Sequence, residues 1–429
     1  MLSSMVCTAS ILMTAPGSAF AQTRTAQISD TVRLTLAEAR TRALAANPDL
    51  VAVRLDTAVA RGQLRQAALP LRFNPVADLL GARGGNGFEA GISQELELFG
   101  QRGLRVDARH AGFERAAAGV SDAARRTLGT VDRTFYRLVA ASRRLALADE
   151  ILGLNQRLAD AAQRQLSAGE ISRLDFNLAI VEFGRSRSRA MSAHRERVQS
   201  ELELRRLVGL LRAGPLEPVF DPALHTERDL YPLADSAIAL DVELLTQRAL
   251  GVRPDVVERA AAVKEAAADA SLARREALPN LVLRAASEPG LDGRVLRPGF
   301  GLAVPIFNLN RGEATARHAL TRQSELQRVA VSARVRTDIA TAVATYRSAA
   351  DEVSVLESTV LGPARQNRQL LETAYREGEV GLPVLLLIRN QVIDAELEYW
   401  TAWLAEREAL AALLEATGAN VSASTERAR

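Results

Sequence analysis

The 429-residue sequence holds one cysteine, Cys7, which excludes a disulfide framework, a zinc finger and an iron–sulfur ligand set. No run approaches eighteen consecutive apolar residues, which excludes a helical membrane span. Its four histidines, His110, His194, His225 and His318, are scattered, and none sits four residues from another around a carboxylate. His110 and His318 read as helix-surface residues. Three of the four methionines precede residue 14, so a methionine-rich metal relay is absent. Gly299-Phe300-Gly301 lies in strand context with no phosphate-binding helix after it. The sequence thus offers no catalytic, cofactor or metal constellation, and a non-enzyme is expected. Lysine is nearly absent too: Lys264 is alone among 54 basic residues. The arginines interleave with 51 acidic residues to a formal net charge of +3, the pattern of solvated helix faces, and no nucleic-acid partner is expected. Charged residues make up 24% without low-complexity tracts, so the bulk of the chain folds.

Residues 1–21 carry no charge and end in Ala19-Phe20-Ala21, a small-x-small pattern that reads as a secretory signal peptide without its basic segment. Ser4-Met5-Val6 before Cys7 is a poor lipidation sequence. Cleavage after Ala21 leaves a cysteine-free mature chain that begins near Gln22, carries no lipid and suits an oxidising compartment.

What the chain does contain is a duplication. Arg42-Ala43-Leu44 with Pro48-Asp49 returns as Arg248-Ala249-Leu250 with Pro254-Asp255, and Ala68-Leu69-Pro70 as Ala277-Leu278-Pro279. Arg102-Gly103, Gly169-Glu170-Ile171 and Gly209 return as Arg311-Gly312, Gly378-Glu379-Val380 and Gly418. Ordered matches at nearly constant spacing identify a tandem repeat of a half-molecule. An N-terminal segment, 22–34, leads into repeat 1 over 35–210. A connecting segment over 211–236 joins this to repeat 2 over 237–418, and 419–429 forms a tail.

Each repeat reads as helix, strand pair, very long helix, tight turn and return helix. The first helix opens at a capping box, Thr35 to Glu38, and continues past one proline to about Ala68. A hairpin is expected over about 72–99, turning at Gly84-Gly85-Asn86-Gly87. Its second strand alternates strictly: Phe88, Ala90, Ile92, Leu96 and Leu98 against Glu89, Gly91, Ser93, Glu95 and Glu97. The second hairpin, about 280–308, places Leu281 to Ala286 before a Gly/Pro-rich turn, then alternates Phe300, Leu302, Val304 and Ile306 with Gly301, Ala303 and Pro305.

Proline is missing between Gln101 and Gly214, which permits a helix over about 101–167, a turn at 168–175 and a return helix. In repeat 2 the long helix covers about 311–376 and the turn 377–383. Val131, Leu138, Leu145 and Leu152 fall seven apart, and a second row (Ala140, Leu147, Leu154, Ala161) sits on nearly the opposite side. One seam makes a two-stranded coiled coil; two opposed seams make a stave packed on both flanks. Ile339, Tyr346, Val353 and Val360 beside Val335, Ala342, Ala349 and Leu356 repeat the pattern. Mid-stave residues such as Arg144 read as solvated, and Tyr399, Trp400 and Trp403 as core.

Four strands with one apolar and one acidic face do not make a stable sheet alone in water, but suit a closed barrel in lipid. Four are too few to enclose a water-filled pore, so several copies share one barrel. An exported coiled-coil scaffold, with its strands covering one end, is the alternative outside transport.

These residues carry a resemblance. Asn47-Pro48-Asp49-Leu50, Ser93-Gln94-Glu95-Leu96-Glu97, Gly100-Gln101-Arg102 and Ala168 through Asp175 resemble the outer-membrane efflux factors, the TolC-like channel proteins. So do Pro305-Ile306-Phe307-Asn308, Asn310-Arg311-Gly312, and Tyr375 with Gly378 through Leu382. The wording is most similar to the outer-membrane components of heavy-metal cation export systems of the cobalt–zinc–cadmium type. The resemblance implies a mainly α fold with a β-hairpin portion: a homotrimeric β-barrel in the outer membrane, continued into the periplasm as an α-helical barrel. It implies as partners outer-membrane lipid, a periplasmic adaptor (membrane fusion protein) and an inner-membrane resistance-nodulation-division pump. Drug efflux or peptide secretion through the same architecture is the alternative cargo. The implied docking residues are Gly169, Glu170, Ile171, Ser172, Arg173, Leu174 and Asp175 at one turn, and Gly378, Glu379, Val380, Gly381 and Leu382 at the other. Asp175 matches an acidic position of the family's tip. Its counterpart is Val384, and Leu387 also stands where some members carry an acid, so the family's acidic constriction is either missing or supplied by Glu377 and Glu379. Glu89, Ser93, Glu95 and Glu97 are expected to face the lumen, with Phe88, Ile92, Leu96 and Leu98 facing lipid.

Overall fold

The computed structural model describes residues 31–81, 88–210, 214–220, 240–290 and 293–419. The proposed signal peptide, the Gly84–Gly87 turn and most of the connecting segment lie outside the described residues. Helix α1 (Leu36–Ala46) starts at the capping box: the Glu38 amide donates to Thr35 Oγ1 at 3.3 Å, and the Thr35 amide to Glu38 Oε2 at 3.0 Å. Asn47 then breaks the helix and caps α2 (Pro48–Ala67), its Oδ1 accepting from the Leu50 amide at 3.0 Å. Proline in the first turn needs no donor, so Pro48 marks a start rather than a kink. The second repeat has the same plan in α5 (Val242–Val252) and α6 (Pro254–Arg275).

Strands β2 (Val76–Gly81), β3 (Phe88–Leu96), β5 (Leu281–Gly290) and β6 (Gly293–Leu302) form one antiparallel sheet in that order. Below it run the staves. Helix α3 (Gln101–Ser167) has 67 residues, about 100 Å at 1.5 Å per residue. It returns through α4 (Arg173–Val208). Repeat 2 descends through α7 (Arg311–Val355), a π-helical turn (Leu356–Leu361) and α8 (Gly362–Arg376), then returns through α9 (Leu382–Thr417). Both bounds of α9 lie 209 residues after those of α4, and both return helices end at a left-handed glycine, Gly209 and Gly418.

Helix α3 packs against α2 and α4 on one flank and against α6 and α9 on the other. That is two-sided cover, with Val131, Leu138 and Ala140 buried. Helix α7 packs on α5, α6 and α9, and leaves Leu320, Leu326 and Val329 exposed. The α2/α4 flank likewise exposes Leu55, Val59 and Leu202. One chain is therefore a four-layer arc with an apolar margin on each side.

Carboxylates from repeat 2 seat directly on glycines of α3. A Cβ at Gly129 would lie 2.3 Å from Glu415 Oε2, and one at Gly112 would lie 2.8 Å from Glu265 Oε1. Arg133 donates to Glu415 at 2.8 Å and Arg115 to Glu265 at 2.7 Å. Across the other flank Arg40 grips buried Asp132 with two bonds of 2.7 Å. Arg253 likewise grips Asp255, at 3.0 and 2.7 Å. Burial alone would raise the Asp255 carboxyl, but the Arg253 guanidinium outweighs it and holds the group below its usual range. Arg144 belongs to the same class: its bond to Glu196 at 2.7 Å and its contact with Thr401 correct the expectation that it is solvated.

A group of aromatics gathers mid-molecule, where β1 (Val32–Leu34) pairs in parallel with β4 (Leu216–Pro218). Leu34 and Leu216 enter a core with Phe135, Tyr136, Leu204 and Trp403, and Phe220 of the connecting segment packs edge-on against Tyr136 and Trp403. Tyr399 and Trp400 pack at its margin, a core use of these rings. The Tyr399 hydroxyl donates to Glu357 in the π turn at 2.9 Å. Burial first, and the Glu357 carboxylate second, push that phenol up to about 12.

The last strand ends at Leu302 rather than Ile306. Pro305 has no amide to donate, and the Ile306 amide folds back to the Val304 carbonyl at 3.0 Å. The π turn, just ahead of Pro363, was not expected either.

Gly129→Leu should lower unfolding stability by about 1–3 kcal/mol, because the side chain must displace Glu415. Gly62→Ala, in mid-helix with nothing within 4 Å, should instead raise it by about 0.5–1 kcal/mol. Urea unfolding followed by circular dichroism measures both.

Candidate functional site

Cross-strand register sorts the sheet's side chains onto two faces. Ala90 stands opposite Leu79 and Ser287, Ile92 opposite Ala77 and Ala285, and Leu283 opposite Phe300. This face is apolar almost throughout and bare, with Leu79 73%, Leu296 70% and Phe300 80% exposed. The other face carries Glu89, Ser93 and Glu95, joined by Asp78 and Arg284. Arg284 reaches Glu89 at 3.2 Å and Asp78 at 3.8 Å, and Asn280 donates to Glu95 at 2.7 Å. Among the described residues, strands β2 and β6 each pair on one side only.

Glu97 does not join them. It follows the end of β3, and its side chain is 7% exposed between Arg105 at 2.6 Å and Arg72 at 3.4 Å. Burial opposes its charge, but the two guanidiniums outweigh this and hold the carboxyl below its usual range. Glu97 fastens the strand to α3, so its assignment to the barrel lining is corrected. Leu98 likewise lies past the strand.

At the far end the two glycine turns share one construction. Gly169 and Gly378 both have φ of 79°. At the first turn the Glu170 amide bonds the Gln165 carbonyl at 2.9 Å and the Gly169 amide bonds Leu166 at 3.0 Å. At the second the Glu379 amide bonds Ala374 at 2.9 Å and the Gly378 amide bonds Tyr375 at 3.2 Å. Both are Schellman caps, and nothing lies within 4 Å of either glycine's Cβ position.

Ile171 and Val380 turn inward onto one cluster with Ala162, Ala179, Leu371, Leu385 and Leu386, so both turns form a single tip. Leu382 is buried there as well. Glu170, Ser172, Arg173, Leu174, Glu379 and Gly381 remain exposed. The return helices start differently. Ser172 and Asp175 form a capping box, with Ser172 Oγ donating to Asp175 Oδ2 at 2.7 Å and accepting from the Asp175 amide at 3.1 Å. Gly381 offers no side-chain cap, and Pro383 occupies the first turn of α9. Asp175 is thus tied into its own helix start.

Sequence reasoning missed Arg284 and Asp78. Their partnership depends on a register that brings together residues 206 positions apart, for which local alternation carries no signal. Among the described residues no group of three or more His, Cys, Asp or Glu side chains converges to hold a metal ion, and no helix is long and apolar enough to cross a membrane.

Ser172→Ala should remove about 1 kcal/mol of helix stabilisation at the first turn alone. Hydrogen exchange should quicken about fivefold over 173–177 and stay unchanged over 382–386.

Residues 39–210 match the family model described as outer membrane efflux protein. No curated protein matches the sequence. Solved structures match nearly the whole chain. The CusC channel is 19% identical, with 89% of this chain and 91% of that one covered and a TM-score of 0.73. The Campylobacter jejuni CmeC outer membrane channel is 15% identical, with coverages of 91% and 88% and a TM-score of 0.76. The open state of the Neisseria gonorrhoeae MtrE outer membrane channel is 20% identical, with coverages of 90% and 89% and a TM-score of 0.71. The chain has the mainly α, partly β fold of the TolC-like channels, in two tandem repeats, and its residues 39–210 are similar to the outer membrane efflux proteins.

Proposed function

We propose that this protein is the outer-membrane channel of a tripartite resistance-nodulation-division efflux system, a passive exit duct for heavy-metal cations. The observation that carries the reading is the sheet: a bare apolar face, a charged opposite face and two unpaired edges. In hydrocarbon each unpaired backbone group costs several kcal/mol, so such a sheet needs closure. Two edges on one chain pair with two neighbours, a head-to-tail arrangement that makes a ring when the rotation closes. The open α7 and α2/α4 margins suit the same ring. Three chains give twelve strands and twelve staves. The apolar face then meets lipid, while Glu89, Ser93 and Glu95 line the lumen.

The tip turns are the docking sites for a periplasmic adaptor's helices, because each leaves a glycine backbone open to close approach. The metal-cation cargo rests on the local resemblance over residues 93–97, 168–175 and 305–312.

The first test is topological. In outer membranes, a cysteine replacing Glu95 should react with a hydrophilic maleimide and one replacing Ile92 should not, since a charge on the lipid face at the midplane costs about 2–4 kcal/mol. Reversed labelling would overturn the face assignment.

The second concerns the tip. Gly169→Ala and Gly169→Trp share the penalty of a side chain at positive φ, about 1–2 kcal/mol. Only tryptophan adds bulk. The alanine variant should therefore trimerise and export, and the tryptophan variant should trimerise but leave the host sensitive to zinc, cobalt, cadmium or copper salts. Asp149→Ala, exposed in mid-stave, should change neither property. Normal export by the tryptophan variant would remove the docking role, and sensitisation to drugs but not metals would reassign the cargo.

A further inference from the structure

Between the sheet and the staves lies a band that neither the barrel nor the tip accounts for. Beyond Leu302 the chain does not enter α7 directly. Residues 303–310 form an irregular link in which Val304 and Ile306 are exposed and Phe307 is 99% exposed. The corresponding link after β3 exposes Leu98 and Phe99. Leu98 and Val304 lie two residues beyond Leu96 and Leu302, strand ends that share the sheet's apolar side. Beyond the last strand hydrogen bond both links thus expose apolar side chains of their own. A fully exposed phenylalanine on a backbone pinned by Pro305 is displayed outward rather than folded in.

The second observation is charge. Four helix ends meet the links: the C-terminal ends of α2 and α6 and the N-terminal ends of α3 and α7. Within one turn of these ends stand Arg65, Arg274, Arg275, Arg102 and Arg311, all exposed. None of them forms an ion pair with a carboxylate among the described residues. Arg102 donates only to the carbonyls of Ala68 and Leu69, at 2.7 and 3.2 Å. Elsewhere among the described residues arginines are either paired, as in the inter-stave clamps, or without a carboxylate, as at Arg164 and Arg187; at this level five without one stand together beside the apolar links. Arg102 and Arg311 also start helices, where the dipole disfavours a cation, and a nearby anion would compensate for that.

We infer that this band is a collar for the anionic phospholipid of the periplasm-facing leaflet. The apolar links enter the acyl-chain boundary, and the arginines below them meet lipid phosphates. This inference rests on the reading of the sheet as a lipid-facing barrel, whose apolar face it extends by one further layer. The order of chemistry supports it: an apolar sheet, then exposed aromatic and aliphatic residues, then cations, the sequence of environments crossed on leaving a bilayer.

The test uses the full chain in vesicles of phosphatidylethanolamine with one-quarter phosphatidylglycerol. Phe307→Trp places a reporter in the link, and Ile92→Trp places one on the sheet's apolar face. Lipids brominated near the headgroup should quench the residue 307 reporter, and lipids brominated deep in the chain should quench the residue 92 reporter. Quenching at 92 without quenching at 307 overturns the collar and leaves the barrel reading intact. Quenching at neither overturns both.

The charge component is read separately, with Arg274→Gln, Arg275→Gln and Arg311→Gln combined. Native mass spectrometry should show phosphatidylglycerol retention reduced by about fivefold per arginine relative to phosphatidylethanolamine. Unchanged retention, with the fold verified by circular dichroism, overturns the phosphate role.

Discussion

A helix of 67 residues has to be covered on two opposed flanks along about 100 Å, and the remaining staves are arranged around that requirement. Covering α3 with large apolar side chains would hold its neighbours too far away for a thin wall. The chain confines those mainly to the middle of α3, at Leu128, Val131, Phe135, Tyr136 and Leu138, and adds alanine, glycine and arginine–carboxylate pairs along the seams. Gly112 and Gly129 give up their side chains so that Glu265 and Glu415 can cross the seam, each held by an arginine of α3. A buried ion pair contributes little net stability against a well-packed apolar alternative, but it specifies register, because a shift of one residue would strand a charge. Arginine suits such clamps: a rigid guanidinium fork fixes two oxygens at once, as Arg40 does on Asp132, which an ammonium on a flexible stem does not.

The apolar residues that remain are concentrated at three levels. The aromatic core in mid-molecule ties both repeats to the connecting segment, the cluster at the tip joins both turns, and the sheet turns its apolar side outward. The first two close within one chain. The third does not, and it is continuous with staves whose margins are also open. In the proposed channel, association and membrane residence would answer to the same exposed surface.

Much of this was legible in the sequence because it is local. The capping box at Thr35, the start at Asn47-Pro48, the strict alternation of Phe88 to Leu96 and the glycine turns depend on neighbours a few residues away. The duplication was legible for another reason: equal spacing needs no knowledge of geometry. What escaped depends on pairs brought together by the fold. Glu97 continues the alternation in sequence, yet it belongs to Arg105 because the strand has already ended. Arg284 gives no local sign of its carboxylate partners, and Arg144 looks solvated until Glu196 of the returning stave arrives. The extension of the last strand to Ile306 failed because Pro305 keeps the alternation of side chains while supplying no amide.

The π turn at Leu356–Leu361 sets residue count against rotation. Repeat 2 keeps, from Arg311 to Gly378, the spacing of repeat 1 from Arg102 to Gly169, yet its descending stave spends a residue in a wider turn while its ascending stave does not. Below that point the descending stave is out of phase with its counterpart by about 100° and shorter by about 1.5 Å. The two hairpins of a chain are therefore alike in arithmetic and unlike in pitch. A ring built from them would carry alternating seams of two kinds, so its true symmetry is that of the number of chains and not of the number of staves.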